Sequence, residues 1–169
     1  HCLLRRQRQM CIRDSNMGDD VIHSGTLGAA FTARKLSYPP LALSIAGKSF
    51  ENFESSFLVT KLMLDYIQKN YEKGENTGLV LNVNIPNSKF TELSGINLSR
   101  LGNRGVPLAP EFSGNGDKVS YKIGKSGPPD GNLSGTDFEA IKNNCVSVTP
   151  LYWDMTAIDR IKGDLPSVK

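Results

Sequence analysis

The segment Asn16-Met17-Gly18-Asp19-Asp20-Val21-Ile22-His23-Ser24-Gly25-Thr26-Leu27-Gly28-Ala29-Ala30 places a polar loop directly ahead of a helix. The pattern predicts a helix over residues 26–36, with Ser24 as an N-cap whose hydroxyl accepts from the unpaired amides of the first turn. Those amides and the helix dipole together make an anion site, and a glycine lets a phosphate approach the backbone closely. Ser24, Gly25 and Thr26 are therefore candidate phosphate-binding residues, with a plain capped helix as the competing interpretation.

The elements that follow predict an α/β fold. Pro39-Pro40 cannot continue the first helix, and the apolar run 41–46 predicts a buried strand. A long helix is predicted over residues 50–73 and ended by Gly74, and residues 79–85 predict the next strand. The order helix–strand–helix–strand favours a parallel sheet covered by helices. The predicted buried stripe of the long helix recurs at steps of three and four: Phe53, Phe57, Thr60, Leu64, Ile67 and Tyr71.

Residues 94–135 differ in composition from the segment before them. They are rich in glycine and proline, with strand-like pieces at 96–100 and 119–123. This pattern predicts an extended β-hairpin arm that leaves the core, and such arms commonly pair between subunits. A short helix at 136–143, a last strand at 145–148 and a terminal helix at 155–161 complete the prediction.

Residues 1–15, HCLLRRQRQMCIRDS, are interpreted as a non-native leader. Their four arginines and one aspartate carry the whole net charge of +3, because the other residues hold 16 basic and 16 acidic side chains. A basic arm that binds nucleic acid is the alternative, and it depends on this segment alone. The segment lacks lysine and aromatic residues and is similar to translated adapter or vector sequence. We therefore predict no nucleic-acid partner.

Composition favours one domain without a membrane partner for residues 16–169. The whole chain is 38% apolar and 22% charged, which suits a packed core with a hydrated surface. It has no apolar run of roughly 18 residues, the length that a membrane span needs. Its cysteines are Cys2, Cys11 and Cys145, which form neither a disulfide framework nor a zinc pattern. A cytoplasmic location is therefore predicted, with Cys145 as a small buried apolar residue.

The segment from Asn16 to Ala30 resembles the central motif of the SurE family of metal-dependent 5′-nucleotidases. The resemblance extends to about residue 157. It implies a partial Rossmann-like, three-layer parallel sheet with the hairpin arm at about 94–135, and residues 16–169 as the C-terminal portion of a nucleotidase domain. Further motifs follow in family order: Leu81-Asn82-Val83-Asn84-Ile85-Pro86, Arg100-Leu101-Gly102, Gly135-Thr136-Asp137-Phe138-Glu139-Ala140, Val146-Ser147-Val148-Thr149-Pro150-Leu151 and Asp154-Met155-Thr156.

The same resemblance implies a function and a set of site residues. The family hydrolyses nucleoside monophosphates to nucleoside and phosphate with a divalent cation, Mg²⁺ or Mn²⁺, and its arm builds homodimers or tetramers. Asn16, Ser24, Gly25 and Thr26 match positions that hold phosphate or nucleotide beside the metal.

The resemblance implies metal ligands at an Asp-Asp pair near the N-terminus, at a serine further on and at an asparagine. In this sequence, the position of that asparagine is occupied by Ile12. The Asp pair and the serine have no counterpart in this sequence, so we expect no bound metal and no activity for the chain itself. The alternative is a non-catalytic fragment that supplies an oligomerisation surface.

Two segments imitate metal ligands without matching them. Asp19-Asp20 corresponds to the loop motif and is interpreted as helix-entry charge with loop hydrogen bonds. Ser94-Gly95-Ile96-Asn97 repeats the ligand motif, but it corresponds to an ordinary strand in the family. His23 has no positioned carboxylate in the sequence and is interpreted as a surface or packing residue.

Overall fold

The computed structural model of the chain describes residues 15–47, 51–75, 78–113, 120–122, 124 and 126–156. Residues 1–14 of the predicted leader, and residues 157–161 of the predicted terminal helix, lie outside this part. The described helices are α1 (Gly25–Thr32), α2 (Phe53–Asn70) and α3 (Asp137–Lys142), with 3-10 turns at Gly18–His23 and Phe90–Glu92. The strands are β1 (Leu41–Ala46), β2 (Leu79–Pro86), β3 (Gly95–Leu98), β4 (Asn103–Arg104), β5 (Glu111–Ser113), β6 (Ser120–Lys122), β7 (Pro129–Asp130) and β8 (Cys145–Tyr152).

The central sheet has the strand order β1-β2-β8-β3. β1 and β2 pair in parallel, as predicted, with Leu43 opposite Val83. β8 runs antiparallel to β2, and β3 runs parallel to β8, so the sheet is mixed rather than wholly parallel. The eight residues between β2 and β3 are too few for the crossover that a parallel return needs, so β3 runs back along the sheet. The α/β class is confirmed.

Helices cover both faces of this sheet, which gives three layers. α1 packs Leu27 and Ala30 against Ala42 and Val80 on one face. α2 covers the opposite face. Successive side chains of a strand point to opposite sides, so Val80 of β2 contacts the α1 cluster and Leu81 contacts the α2 cluster. The core on the α2 side consists of Val59, Met63, Ile67, Leu81, Val83, Ile85, Val146 and Val148.

The buried stripe of α2 agrees with the predicted one only in part: Ile67 is buried as predicted, and Tyr71, just after the helix, packs against the same core. Its buried residues are Ser55, Val59, Met63 and Ile67, a row with a constant step of four. Phe53 and Phe57, which were predicted to be buried, are 67% and 68% exposed, and Leu64 is exposed as well. The helix presents two neighbouring rows, and the one containing small Ser55 meets the sheet. Ser55 Oγ donates to the Ser88 carbonyl at 2.7 Å, which fixes that choice of face.

Several element boundaries also differ from the sequence prediction. α1 ends at Thr32 rather than at residue 36, and α2 ends four residues before Gly74. β3 of the predicted arm belongs to the central sheet, while β5 and β6 form an antiparallel ladder outside it. Met155 and Thr156 are not helical. Within the described residues no helix combines the length and apolar character needed to cross a bilayer.

Candidate functional site

The N-terminus of α1 is built as the sequence predicts. Ser24 is the N-cap: its Oγ accepts from the Leu27 amide at 3.1 Å, and its carbonyl accepts from the Gly28 amide at 3.0 Å. Gly25 and Thr26 are exposed at the first turn, where amide groups have no acceptor within the helix. Apart from its chain neighbours and the backbone of α1 itself, no atom of the described residues lies within 4 Å of the position that a Cβ on Gly25 would take. The end of the helix therefore offers amide and hydroxyl donors to open space.

Asn16 lies against the central sheet and is only 5% exposed. Its side-chain Nδ2 donates to Ser44 Oγ of β1 at 2.6 Å. Its backbone carbonyl accepts two hydrogen bonds, from Asn82 Nδ2 at 2.7 Å and from Asn84 Nδ2 at 2.8 Å. The Gly18–His23 turn then carries the chain from Asn16 to Ser24. The structure thus fixes Asn16 on the sheet and Ser24, Gly25 and Thr26 at the helix end, as two anchored parts of one continuous segment.

The sheet beneath Asn16 carries a buried polar surface that the sequence analysis did not identify. Asn82 lies opposite Thr149, and Asn84 lies opposite Ser147, on the face away from α2. Four of their side-chain atoms are buried without a hydrogen-bond partner among the described residues: Asn82 Oδ1, Asn84 Oδ1, Ser147 Oγ and Thr149 Oγ1. Buried polar groups are normally paired, so this surface is unusual for a strand core. The available signal was the polar residues that interrupt two otherwise apolar strands.

Asp137 holds the turn from its other side. Its carboxylate accepts from the amides of Gly18 at 2.6 Å, Gly102 at 3.0 Å and Phe138 at 2.9 Å. Burial raises the pKa of the Asp137 carboxyl, although these three amides and the Arg104 charge act in the opposite direction. The side chain is fully buried at the start of α3. It joins three separate segments of the chain, a role that the quoted Gly135–Ala140 motif did not suggest.

Both the backbone conformation at residue 18 and the lack of room for a side chain there require glycine. Its φ is +62°, a region that residues with a Cβ rarely occupy. A Cβ there would stand 2.7 Å from the Phe138 ring and 2.9 Å from the Gly102 carbonyl oxygen. The turn therefore packs against Phe138 and Gly102 only because residue 18 has no side chain.

The acidic pair of the turn is engaged by Arg104. Asp19 Oδ1 accepts from the Arg104 amide at 3.0 Å, and Asp20 Oδ2 lies 2.8 Å from Arg104 Nε in an ion pair. The guanidinium also lies over the Phe138 ring, with 4.7 Å between its carbon and the ring centroid. Asp19 accepts a loop hydrogen bond, as predicted, whereas the main partner of Asp20 is the guanidinium of Arg104 in an ion pair. In the part of the chain that the structure describes, no group of three or more His, Cys, Asp or Glu residues could hold a metal ion.

The other residues considered in the sequence lie where they were expected. Residues 95–97 of the imitating ligand motif lie in β3, with Asn97 opposite Ser147 in the ladder. His23 is exposed at the end of the 3-10 turn, and Cys145 is buried at the start of β8.

Comparison with known proteins identifies similar sequences and a similar structure. The family model described as "Survival protein SurE" matches residues 13–107. A 5′-nucleotidase SurE from Nitrosomonas eutropha is 37% identical over 149 residues, which cover 87% of this chain and 59% of that protein. A second, from Laribacter hongkongensis, is 37% identical over 155 residues, with 90% and 61% covered.

The crystal structure of the SurE protein from Aquifex aeolicus superimposes with a TM-score of 0.66 at 32% identity, covering 89% of this chain and 60% of that one. The chain therefore spans about three fifths of the length of these relatives.

Proposed function

Because the chain belongs to the SurE family, we propose that it supplies the phosphate-binding part of a divalent-metal-dependent 5′-nucleotidase that acts on nucleoside monophosphates. The observation that carries this proposal is the open N-terminus of α1. Ser24 Oγ accepts one hydrogen bond, from the Leu27 amide, and its own hydroxyl proton donates to no group among the described residues, so it is available to a ligand. Together with the exposed Gly25 and Thr26 amides and the positive end of the helix dipole, this group suits a phosphate dianion.

Asn16 is proposed to hold the phosphate or nucleotide from the sheet side. Its side-chain amide makes one hydrogen bond, to Ser44, which leaves donor and acceptor capacity for a ligand. The residue is anchored through both its side chain and its carbonyl, so its position is fixed before a ligand arrives. Preorganised donors of this kind bind anions without an ordering cost at the moment of binding.

A bound Mg²⁺ or Mn²⁺ would supply such an enzyme with polarisation of the phosphoryl group and activation of water. The described residues of this chain do not fit that ion, because Asp19 and Asp20 are already held by Arg104. The position that corresponds to a family ligand is Ile12, whose side chain has no ligating atom. We therefore propose that this chain binds the substrate phosphate but does not hydrolyse it alone.

A second candidate function is a non-catalytic oligomerisation surface. Phe112 of β5 and Tyr121 of β6 lie directly opposite each other and are 71% and 66% exposed. Two-stranded ladders are marginal in water by themselves, which favours a partner surface such as a second copy in a homodimer or tetramer. Analytical ultracentrifugation over a range of chain concentrations, with and without AMP, separates the two proposals. Self-association without any AMP binding would favour the second.

The phosphate-binding proposal is tested by replacing Gly25 with alanine. A methyl group at this position enters the space open to the ligand while meeting no protein atom. We expect Gly25→Ala to raise the Kd for AMP at least about tenfold, a loss of roughly 1.4 kcal/mol. Gly28→Ala is the matched control, since it also meets open space but lies one turn further along α1.

Isothermal titration with AMP gives the Kd, and thermal melting shows that both variants fold. Neither variant should lose stability, because alanine is the better helix former by about 1 kcal/mol. Unchanged AMP affinity in Gly25→Ala would mean that Ser24 is only a helix cap. Phosphate release from AMP with added Mn²⁺ tests the second part of the proposal, and turnover above a heat-inactivated sample would contradict it.

A further inference from the structure

We propose that Asn82 and Asn84 are positioning residues for substrate: they act through Asn16 and fix the peptide that presents it to the phosphate. This inference rests on the proposed function. Both side chains are fully buried, and both direct an amide group at the same Asn16 carbonyl oxygen, at 2.7 and 2.8 Å. Two donors on one oxygen, approaching from successive inward-facing positions of β2, define the orientation of the Asn16 peptide more tightly than one would.

Two further hydrogen bonds restrain the segment from Asn16 to Gly18. Ser44 fixes the Asn16 side chain from β1, and Asp137 fixes the Gly18 amide from α3. Asn16 and Gly18 are separated by one residue, so the intervening peptides are restrained at both ends. A shift of the Asn16 carbonyl would move its side-chain amide relative to the end of α1. Among the described residues, Asn82 and Asn84 form no hydrogen bond to Ser24, Gly25 or Thr26, and they bind Asn16 through its backbone carbonyl rather than its side chain, so their effect on substrate is indirect.

The unpartnered side-chain oxygen atoms of Asn82 and Asn84 support a role beyond packing. Once the Nδ2 groups face Asn16, the Oδ1 atoms of both side chains have no partner among the described residues. A buried acceptor without a partner lowers stability, and an apolar side chain of the same volume would avoid that cost. Leucine or valine would pack a strand core at these positions without the cost of an unpartnered acceptor. The pair is therefore explained by what its amide groups do for Asn16 and not by stability.

The test is Asn84→Leu in the full chain, with AMP as the probe. Leucine keeps the number and branching of the side-chain heavy atoms and removes both the amide donor and the unpartnered oxygen, while Asn82 still donates to Asn16. Loss of a supporting hydrogen bond at metal sites costs about 10–100-fold in affinity or activity, and we expect an increase in the AMP Kd of about tenfold. Thr149→Val is the matched control: it removes an unpartnered hydroxyl from the same buried surface and should leave the Kd unchanged.

Titration separates positioning from a purely structural role. A structural role lowers the fraction of chains that bind and leaves the Kd of the folded chains unchanged, whereas positioning raises the Kd at full stoichiometry. An unchanged Kd in Asn84→Leu, with AMP binding by the wild type, overturns this inference alone. Absence of AMP binding by the wild type overturns the proposed function and the inference with it.

A second measurement covers the case in which Asn84→Leu does not fold. In the wild type, the side-chain amide resonances of Asn82 and Asn84 are followed by ¹H–¹⁵N NMR during an AMP titration. They should shift along the same saturation curve as the Gly25 amide, because the restrained peptide couples them to the site. Side-chain resonances that stay in place while the Gly25 amide shifts would overturn the positioning role.

Discussion

The two faces of the central sheet use the same strands for different purposes. On the α2 side, β2 presents Leu81, Val83 and Ile85 to a closely packed apolar core. On the other side it presents Asn82 and Asn84, which are equally buried but leave polar atoms without partners. One face stabilises the fold, and the other holds a loop in place at some cost in stability. Burial alone therefore does not show that a residue serves stability. Whether its buried polar atoms have hydrogen-bond partners must be known as well.

Removal of an apolar side chain from the α2 face should give the largest effect. Ile67 is 3% exposed, and Ile67→Ala leaves a cavity that we expect to lower the free energy of unfolding by about 2–5 kcal/mol. Phe53→Ala, on the exposed row of the same helix, should change it by less than about 0.5 kcal/mol. Urea denaturation followed by circular dichroism measures both. Equal losses in the two variants would show that the face of α2 is wrongly assigned.

A smaller loss is expected at the turn that covers the polar face. Gly18→Ala combines a strained φ, about 1 kcal/mol, with a methyl group pressed against Phe138, about 1–3 kcal/mol, so we expect about 2–4 kcal/mol in total. Gly131 has a φ of +72°, and beyond its chain neighbours no described atom lies within 4 Å of its Cβ position, so Gly131→Ala isolates the conformational part. The difference between the two melting curves measures the contact with Phe138. If Gly131→Ala is the more harmful change, the close packing at Gly18 is refuted.

The smallest effect of the three is expected at Asp137. Asp137→Asn exchanges one carboxylate oxygen for an amide that cannot accept from Gly18 or Gly102, at a cost of about 1–3 kcal/mol. Burial raises the folded pKa of this carboxyl above its ordinary value of 3.8, so folding favours the protonated form. Its contribution is fully present below the unfolded pKa and is lost as pH rises through the folded pKa.

The stability difference between the wild type and Asp137→Asn should therefore change with pH. It should grow in favour of the wild type as pH falls from above the raised pKa toward 3.8. Denaturation series at several pH values measure this difference, and the other titrating groups cancel between the two proteins. A gap that narrows on acidification would reverse the assigned direction of the pKa shift.

Local rules were sufficient for some elements and not for others. Ser24 was predicted as a cap because capping depends on residues within one turn, and the hydrogen bond to Leu27 is present. The predicted face of α2 was wrong for Phe53, Phe57 and Leu64 but right for Ile67. Both apolar rows of the helix satisfy helical periodicity, and only contact with the sheet distinguishes them. The direction of β8 depends on how the chain returns from residues 99–136, which strand patterns do not encode.

The polar side of the site was missed for a related reason. Alternating polar residues in a strand ordinarily indicate an exposed face, so Asn82 and Asn84 gave no sign of burial. Asp137 at the start of a helix reads as a charge that suits the helix dipole, although it binds amides from two distant segments. Both roles depend on contacts between residues 35 or more positions apart in the chain. No local window of sequence contains them.

The Asp137 carboxylate also sets an order of events during synthesis. Gly18 and Asp137 are 119 residues apart, so the amide leaves the ribosome long before its acceptor exists. At 5–20 residues per second that interval is roughly 6–24 s. During it α1, β1, α2 and β2 can form while the turn is held through the contacts of Asn16 with β1 and β2 and, once residue 104 has been made, through Arg104. We expect the phosphate-binding segment to be the last part of this region to become rigid, and to be completed by a helix made near the other end of the described chain.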